Sequence, residues 1–216
     1  ITPLLLRQVQ SFSLAERELL LDYYSEHSKE HLLTIAEGKK IIPFVADVFI
    51  KLGRDEQFWR THYDFYLHRN RKIRKLLDSI FSGLEIYGCE SVVLTDNFGV
   101  LLASYGSLAC FCSGDVDLSA DIAEKDDIVN CLRSFSFESK DQPSKIGEYS
   151  GQSMQFYNDK AIDGGFWINV IWKPVTRAFL VQDKYELRLN RDRLIAKKHG
   201  ESSIKILEDS SLLYFC

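Results

Sequence analysis

The residues in this chain best placed to do chemistry are Asp115 and Asp117, which follow a Ser113-Gly114 turn with Val116 between them. On a strand, residues two apart point to the same face about 6 to 7 Å from each other, so the pair offers two hard oxygen donors to one cation. Magnesium suits such a pair, because it takes one or two carboxylates and completes its shell with phosphate oxygens. The plainer reading is an amphipathic strand with two acids in solvent and Val116 and Leu118 inside. Other chemistries find less to rest on. His27 and His31 are four apart, but no acid completes a zinc-protease motif. Cys110 and Cys112 lack the second ligand pair of a structural zinc site and read as small buried hydrophobes. No P-loop, GxGxxG or GxSxG sequence occurs. The run Arg69, Asn70, Arg71, Lys72, Ile73, Arg74, Lys75 holds five basic residues in seven. It reads as a solvated helix face or as a partner for phosphate.

The elements that must position the acid pair can be read from periodicity. From Leu4 to about Tyr87 apolar residues recur at helical spacing, and Ser13 with Glu16 forms a capping box ahead of Leu19, Leu20 and Tyr23. After Gly88 short β-branched runs alternate with helical patterns. Strands are expected at Ser91–Thr95, Asp115–Ala120, Gln155–Tyr157 and Gly165–Trp172, and helices at Phe98–Tyr105 and Asp126–Phe135. From Asp183 a helical tail is expected through Leu187, Leu189 and Leu194, with a further apolar helix from Asp209 or Ser210. The expected class is therefore α+β: a helical region over residues 1–88, a small mixed-sheet core over 89–183, and a helical segment over 184–216. The apolar Leu212–Phe215 run before Cys216 suggests a chain that continues.

Composition bounds the rest. The 216 residues carry 27 Lys and Arg against 31 Asp and Glu, a formal charge of -4, so net charge does not drive polyanion binding. No apolar run approaches the roughly 20 residues of a membrane helix. Five cysteines are an odd number without a signal-peptide pattern, which points to a reducing cytoplasm and no disulfide partner.

The phrase Ser113-Gly-Asp-Val-Asp-Leu, with a strand and short helix ahead of it, resembles the nucleotidyltransferase superfamily of DNA polymerase beta-like fold. The resemblance covers roughly Leu84 to Trp172. Members place a small-residue turn on a first strand, a short helix, then a D-h-D strand, with a third carboxylate on a later strand. Two registers place the phosphate-holding turn. In one, Gly106 and Ser107 hold the nucleotide phosphates. In the other, the chain is similar to uncharacterised bacterial nucleotidyltransferases with a helical leader. There a strand ends in Lys-Gly, a helix ends at a Tyr, and the D-h-D begins ten residues later, preceded by an Arg. Here Tyr105 lies ten residues before Asp115, while the Lys-Gly positions read Asp96 and Asn97 and the Arg position reads Phe111. The third acid falls in Ile168-Asn169-Val170-Ile171-Trp172, where Asn169 stands for it.

The resemblance implies Asp115 and Asp117 as metal ligands for Mg2+ or Mn2+, Asn169 at the third catalytic position, and a nucleoside triphosphate as substrate. Lys173 and Arg177 stand where they could replace the missing cations, and Asp163 or Glu148 could supply the missing acid. The acceptor, a small molecule, peptide, protein or RNA, is left open. Two functions follow: transfer of a nucleoside monophosphate, or a binding or regulatory module that keeps the fold without turnover. An amide cannot take the proton of the attacking group and is a weak neutral ligand, so Asn169 is the residue on which the two diverge.

Overall fold

The computed structural model describes residues 12–103, 107–140, 153–172, 175–176, 187–188 and 196–207. The chain divides into two compact units, one of residues 1–71 with 107–113 and one of 72–106 with 114–216. Helices and a mixed sheet make the protein α+β, with the expected helical amino-terminal region.

The first unit is helical: α1 (Leu14–Glu26), α2 (Lys29–Gly38), α3 (Ile42–Lys51) and the first half of the long α4 (Glu56–Ile86). The capping box at Ser13 and Glu16 is present, and Ser28 accepts from the His31 amide at the start of α2. Each supplies an acceptor to a donor that the helix cannot satisfy itself. Leu20, Leu32, Ala36, Val45, Val48, Phe49 and Trp59 form the core. Trp59, fully buried, lies against Phe49 and donates its indole N–H to the Tyr24 hydroxyl at 3.2 Å. The segment 107–113 carries a short 3-10 turn over Leu108–Cys110 and is tied to α4 by two neighbouring side chains. Asn70 donates to the carbonyls of Leu108 at 2.6 Å and Phe111 at 2.7 Å, and Arg69 donates to the Ser113 carbonyl at 2.9 Å. Those bonds replace the ladder that an irregular segment lacks.

The second unit is built on a seven-stranded sheet of order β3-β4-β5-β2-β1-β9-β8. Its strands are β1 (Val93–Leu94), β2 (Asp115–Ser119), β3 (Glu138–Ser139), β4 (Ser153–Asn158), β5 (Phe166–Ile171), β8 (Ala196–Lys198) and β9 (Lys205–Leu207); β6 (Val175–Thr176) and β7 (Leu187–Arg188) form a separate antiparallel pair. β2 runs parallel to β5 and antiparallel to β1, and β4 is antiparallel to β5. Helix α5 (Asn97–Ala103) follows β1, and α6 (Lys125–Ser134) follows β2. One face of the sheet is apolar: Val116, Leu118, Phe156, Phe166, Ile168 and Val170 are all buried. The second half of α4 contributes Ile73, Leu77, Ile80, Phe81 and Leu84 at helical spacing, and α6 contributes Ile128, Val129, Cys131 and Leu132. Gly83 permits a close approach there, since a Cβ would lie 2.9 Å from the Phe135 ring.

The expectation of a helical tail over 184–216 is corrected: its described residues are strands at Leu187–Arg188, Ala196–Lys198 and Lys205–Leu207. Tertiary pairing decides this. Leu94 pairs in parallel with Ile206, β8 closes a hairpin on β9, and Ile204, Ile206 and Leu207 are buried. Asp78 of α4 fixes that hairpin by accepting from the Ser202 hydroxyl at 2.6 Å and the Ser203 amide at 2.9 Å. The helix expected from Asp209 or Ser210 lies outside the described residues. No described helix is long and apolar enough to cross a membrane. Cys89, Cys110, Cys112 and Cys131 are free thiols.

Candidate functional site

The register of the sheet builds the site. Asp117 on β2 stands opposite Asn169 on β5, which stands opposite Gln155 on β4; one row away Asp115, Trp167 and Tyr157 are aligned in the same manner. Paired residues share a face, so the six side chains lie together on the side opposite the apolar one. Alternation along β2 and β5 accounts for it: Asp115 and Asp117 are half-buried between buried Val116 and Leu118, and Trp167 and Asn169 between buried Phe166, Ile168 and Val170.

Asn169 holds the two acids together. Its Nδ2 donates to Asp117 Oδ1 at 2.8 Å and to Asp115 Oδ2 at 3.1 Å, while its Oδ1 accepts from Gln155 Nε2 at 3.0 Å. Two carboxylate oxygens thus converge on a single donor. Burial raises the Asp117 pKa, and the charge of Asp115 adds to that rise, opposed by the hydrogen bond from Asn169. The donor set suits a hard divalent cation in kind and convergence: Asp115 and Asp117 are the residues that would hold it. Among the described residues no group of three or more His, Cys, Asp or Glu gathers into a metal cluster, so the acids number two and the third position is the amide.

Asp96 follows β1 and caps α5. Its Oδ1 accepts from the amides of Phe98 at 3.0 Å and Gly99 at 3.1 Å. The chain's own carboxylate thereby satisfies two backbone donors of the first turn of α5. Burial raises the Asp96 pKa to about 7, with the charges of Asp117 and Asp115 adding to the rise and the two amides opposing it. Asp96 therefore feels the acid pair electrostatically. Asn97 begins α5, and its side chain lies outside the described residues.

The other expected residues are placed as follows. Ser107 belongs to the helical unit, where its hydroxyl bonds Tyr63 Oη at 2.6 Å and caps the 3-10 turn through the Ala109 amide. Phe111 is buried in the same unit. Arg69 is engaged with the Ser113 carbonyl, and burial lowers its pKa. Lys72 forms an exposed ion pair with Asp163 at 2.8 Å, so the basic run and the candidate replacement acid meet each other. Gly106, Glu148, Lys173 and Arg177 lie outside the described residues.

Sequence reading missed Gln155, Trp167 and Tyr157. Each alternates correctly within its own strand, but only the strand order and register show that they share a row with the acids. Tyr157 and Trp167 pack with ring centroids 4.6 Å apart, beside Asp115. Gly165 makes room for them: its φ is +77°, and a Cβ there would meet Tyr157 Oη at 2.2 Å. Comparison of the chain with protein-family models, with curated proteins and with solved structures gives no match.

Proposed function

We propose that this chain is a nucleotidyltransferase-like protein that binds a nucleoside triphosphate together with a divalent cation on the half-exposed face of its sheet. The observation that carries the reading is the convergence of Asp115 and Asp117 from one strand onto a single point opposite Asn169. Two carboxylates alone repel phosphates, so the pair serves a triphosphate only through a cation. A bound Mg2+ or Mn2+ would neutralise phosphate oxygens and polarise the α-phosphorus. Trp167 and Tyr157, on the row beside Asp115, offer aromatic surface to a base.

The activity this arrangement supports is transfer of a nucleoside monophosphate in the cytoplasm to a small molecule, peptide, protein or RNA. An acceptor hydroxyl, amine or phosphate forms a bond to the α-phosphorus, the bond to the bridging oxygen breaks, and pyrophosphate leaves. For a hydroxyl or amine acceptor a proton must also be taken up. Asn169 cannot take it, which assigns that task to Asp115, Asp117 or Asp96. A second reading, a binding or regulatory module without turnover, is favoured by one observation: the third position donates hydrogen bonds to both acids instead of adding a third carboxylate.

Calorimetry with each nucleoside triphosphate, with and without Mg2+ or Mn2+, tests the proposal. Affinity is expected only with the cation, and Asp115→Asn with Asp117→Asn should weaken it about 100-fold or more. Tight binding that ignores both the cation and the double substitution overturns the site. Pyrophosphate release with candidate acceptors separates the transferring from the binding version. Asn169→Asp is expected to strengthen Mn2+ binding in either.

A further inference from the structure

An amide side chain has a donor end and an acceptor end of nearly equal shape, and its terminal torsion is soft. Which end of Asn169 faces the acids is therefore settled by its surroundings. Gln155, exposed on β4, donates Nε2 to Asn169 Oδ1 at 3.0 Å. The carboxylates of Asp115 and Asp117, which only accept, draw Nδ2 towards them, and Gln155 adds to that hold from the other end of the amide. In this sense Asn169 has no lone pair to offer a cation, and its N–H groups stand where the carboxylate oxygens converge. Reversal would turn Oδ1 towards that point as a third oxygen ligand. Nδ2 would then face Gln155, which could accept through Oε1 after turning its own amide. The bond between the two amides survives the reversal only if Gln155 turns its own amide as well, so Gln155 in its present sense holds Asn169 as it stands until a cation rewards the coupled turn.

We infer that Gln155 is a positioning residue of this site: the sense of its hydrogen bond to Asn169 biases which end of that amide faces Asp115 and Asp117, and thereby how tightly the pair holds a divalent cation. The inference rests on the proposed cation-binding role of the acid pair. It adds a residue that touches neither acid and acts through a coupled turn of two neutral amides.

The test uses Mn2+ alone, followed by calorimetry and electron paramagnetic resonance on the whole chain. Gln155→Glu presents only acceptors, so once a cation occupies the acid pair Asn169 donates towards position 155 and turns Oδ1 to the metal. Gln155→Lys presents only donors and locks the opposite sense. Mn2+ affinity should rise in the first and fall in the second, about tenfold each way. The introduced charges act on the cation directly as well, so both changes are repeated with Asn169→Ala. The part of the effect that travels through Asn169 vanishes there, and only the direct charge effect remains. The second readout uses diamagnetic Mg2+ in place of Mn2+. In the proton spectrum at saturating Mg2+ the Asn169 side-chain NH2 should show proximity to Asp117 Hβ in Gln155→Lys and to the side chain at position 155 in Gln155→Glu. Equal Mn2+ effects with and without the Asn169 amide overturn the inference, as does an NH2 that stays beside Asp117 in Gln155→Glu. If the unsubstituted chain binds Mn2+ through Asp115 and Asp117 but the Gln155 variants do not couple to Asn169, the inference alone fails. If the unsubstituted chain, Gln155→Glu and Asn169→Asp all bind no Mn2+, the cation reading fails with it.

Discussion

Asn70 in the helical unit is wholly buried and donates to the carbonyls of Leu108 and Phe111, whereas Asn169 in the sheet is half-buried and donates to the carboxylates of Asp117 and Asp115. The chemical group is the same in both, and the partners differ. Carbonyls away from solvent lose more than exposed ones when a donor is removed, so Asn70 is part of what holds the 107–113 segment on α4. Half-buried carboxylates can exchange an amide for water or a cation, so Asn169 is replaceable by a ligand in a way that Asn70 is not. Burial and the ionisability of the partners, more than the residue type, separate an amide that makes the fold from one that belongs to a site.

The largest effect expected of that contrast is on stability. Asn70→Leu removes the amide that donates to the Leu108 and Phe111 carbonyls and should cost about 3 kcal/mol, read as a shifted denaturant midpoint with unchanged slope. Asn169→Ala should cost under about 1 kcal/mol, because water takes over at its partners. Equal losses at the two positions would break the comparison.

Asp96 stands between the two kinds: backbone amides satisfy it, yet its ionisation feels the site's acids. Its pKa in the folded chain is raised from 3.8 to about 7, so between those values the folded state binds more protons than the unfolded one. Stability therefore falls as pH rises from about 4 through 7, and the full penalty applies above that. Asp96→Asn keeps an oxygen for the Phe98 and Gly99 amides and cannot ionise. It should stabilise the chain by about 2 kcal/mol or more at pH 8, and by nothing below about pH 4. Thermal melts across that range check the sign; a variant that gains equally at all pH values would place Asp96 with Asn70, as a purely structural cap.

The smallest effect sharpens the picture of the sheet face. Gly165→Ala places a Cβ against Tyr157 at a positive φ and should cost about 1 to 2 kcal/mol. It should also displace the Tyr157 ring from Trp167, seen as a change in near-ultraviolet circular dichroism. A variant that melts like the parent with an unchanged aromatic signal would show that the close approach at Gly165 does not hold the aromatic pair.

Much of this could be read from one dimension because the rules involved are local. The strand period puts Asp115 and Asp117 on one face whatever lies beside β2, and the capping box at Ser13 and Glu16 needs only three residues of spacing. The helical face of Ile128, Val129 and Leu132 and the apolar alternation of Phe166, Ile168 and Val170 follow from periods of 3.6 and 2. The carboxy-terminal segment reads as helical in sequence because its strands are two or three residues long, and a run that short is strand only by virtue of its partner; Ile206 finds that partner in Leu94, 112 positions earlier. Arg69 and Asn70, read as a basic helix face, turned inward for the same reason, since the carbonyls they satisfy lie 38 to 44 residues away.

By itself, then, the sequence determined the acid pair, its shared face and the amide in Ile168-Asn169-Val170, since each depends on residue type and on the geometry of one strand. Tertiary structure decided what those residues meet. The register of β2 on β5 brought Asn169 to both carboxylates, the register of β5 on β4 brought Gln155 to Asn169, and the turn after β1 filled the Phe98 and Gly99 amides with Asp96. A one-residue slip in either ladder would send one row to the opposite face. What holds the register is the burial of Val116, Leu118, Phe156, Ile168 and Val170 together on the other side, a property of the assembled sheet and of no single segment in it.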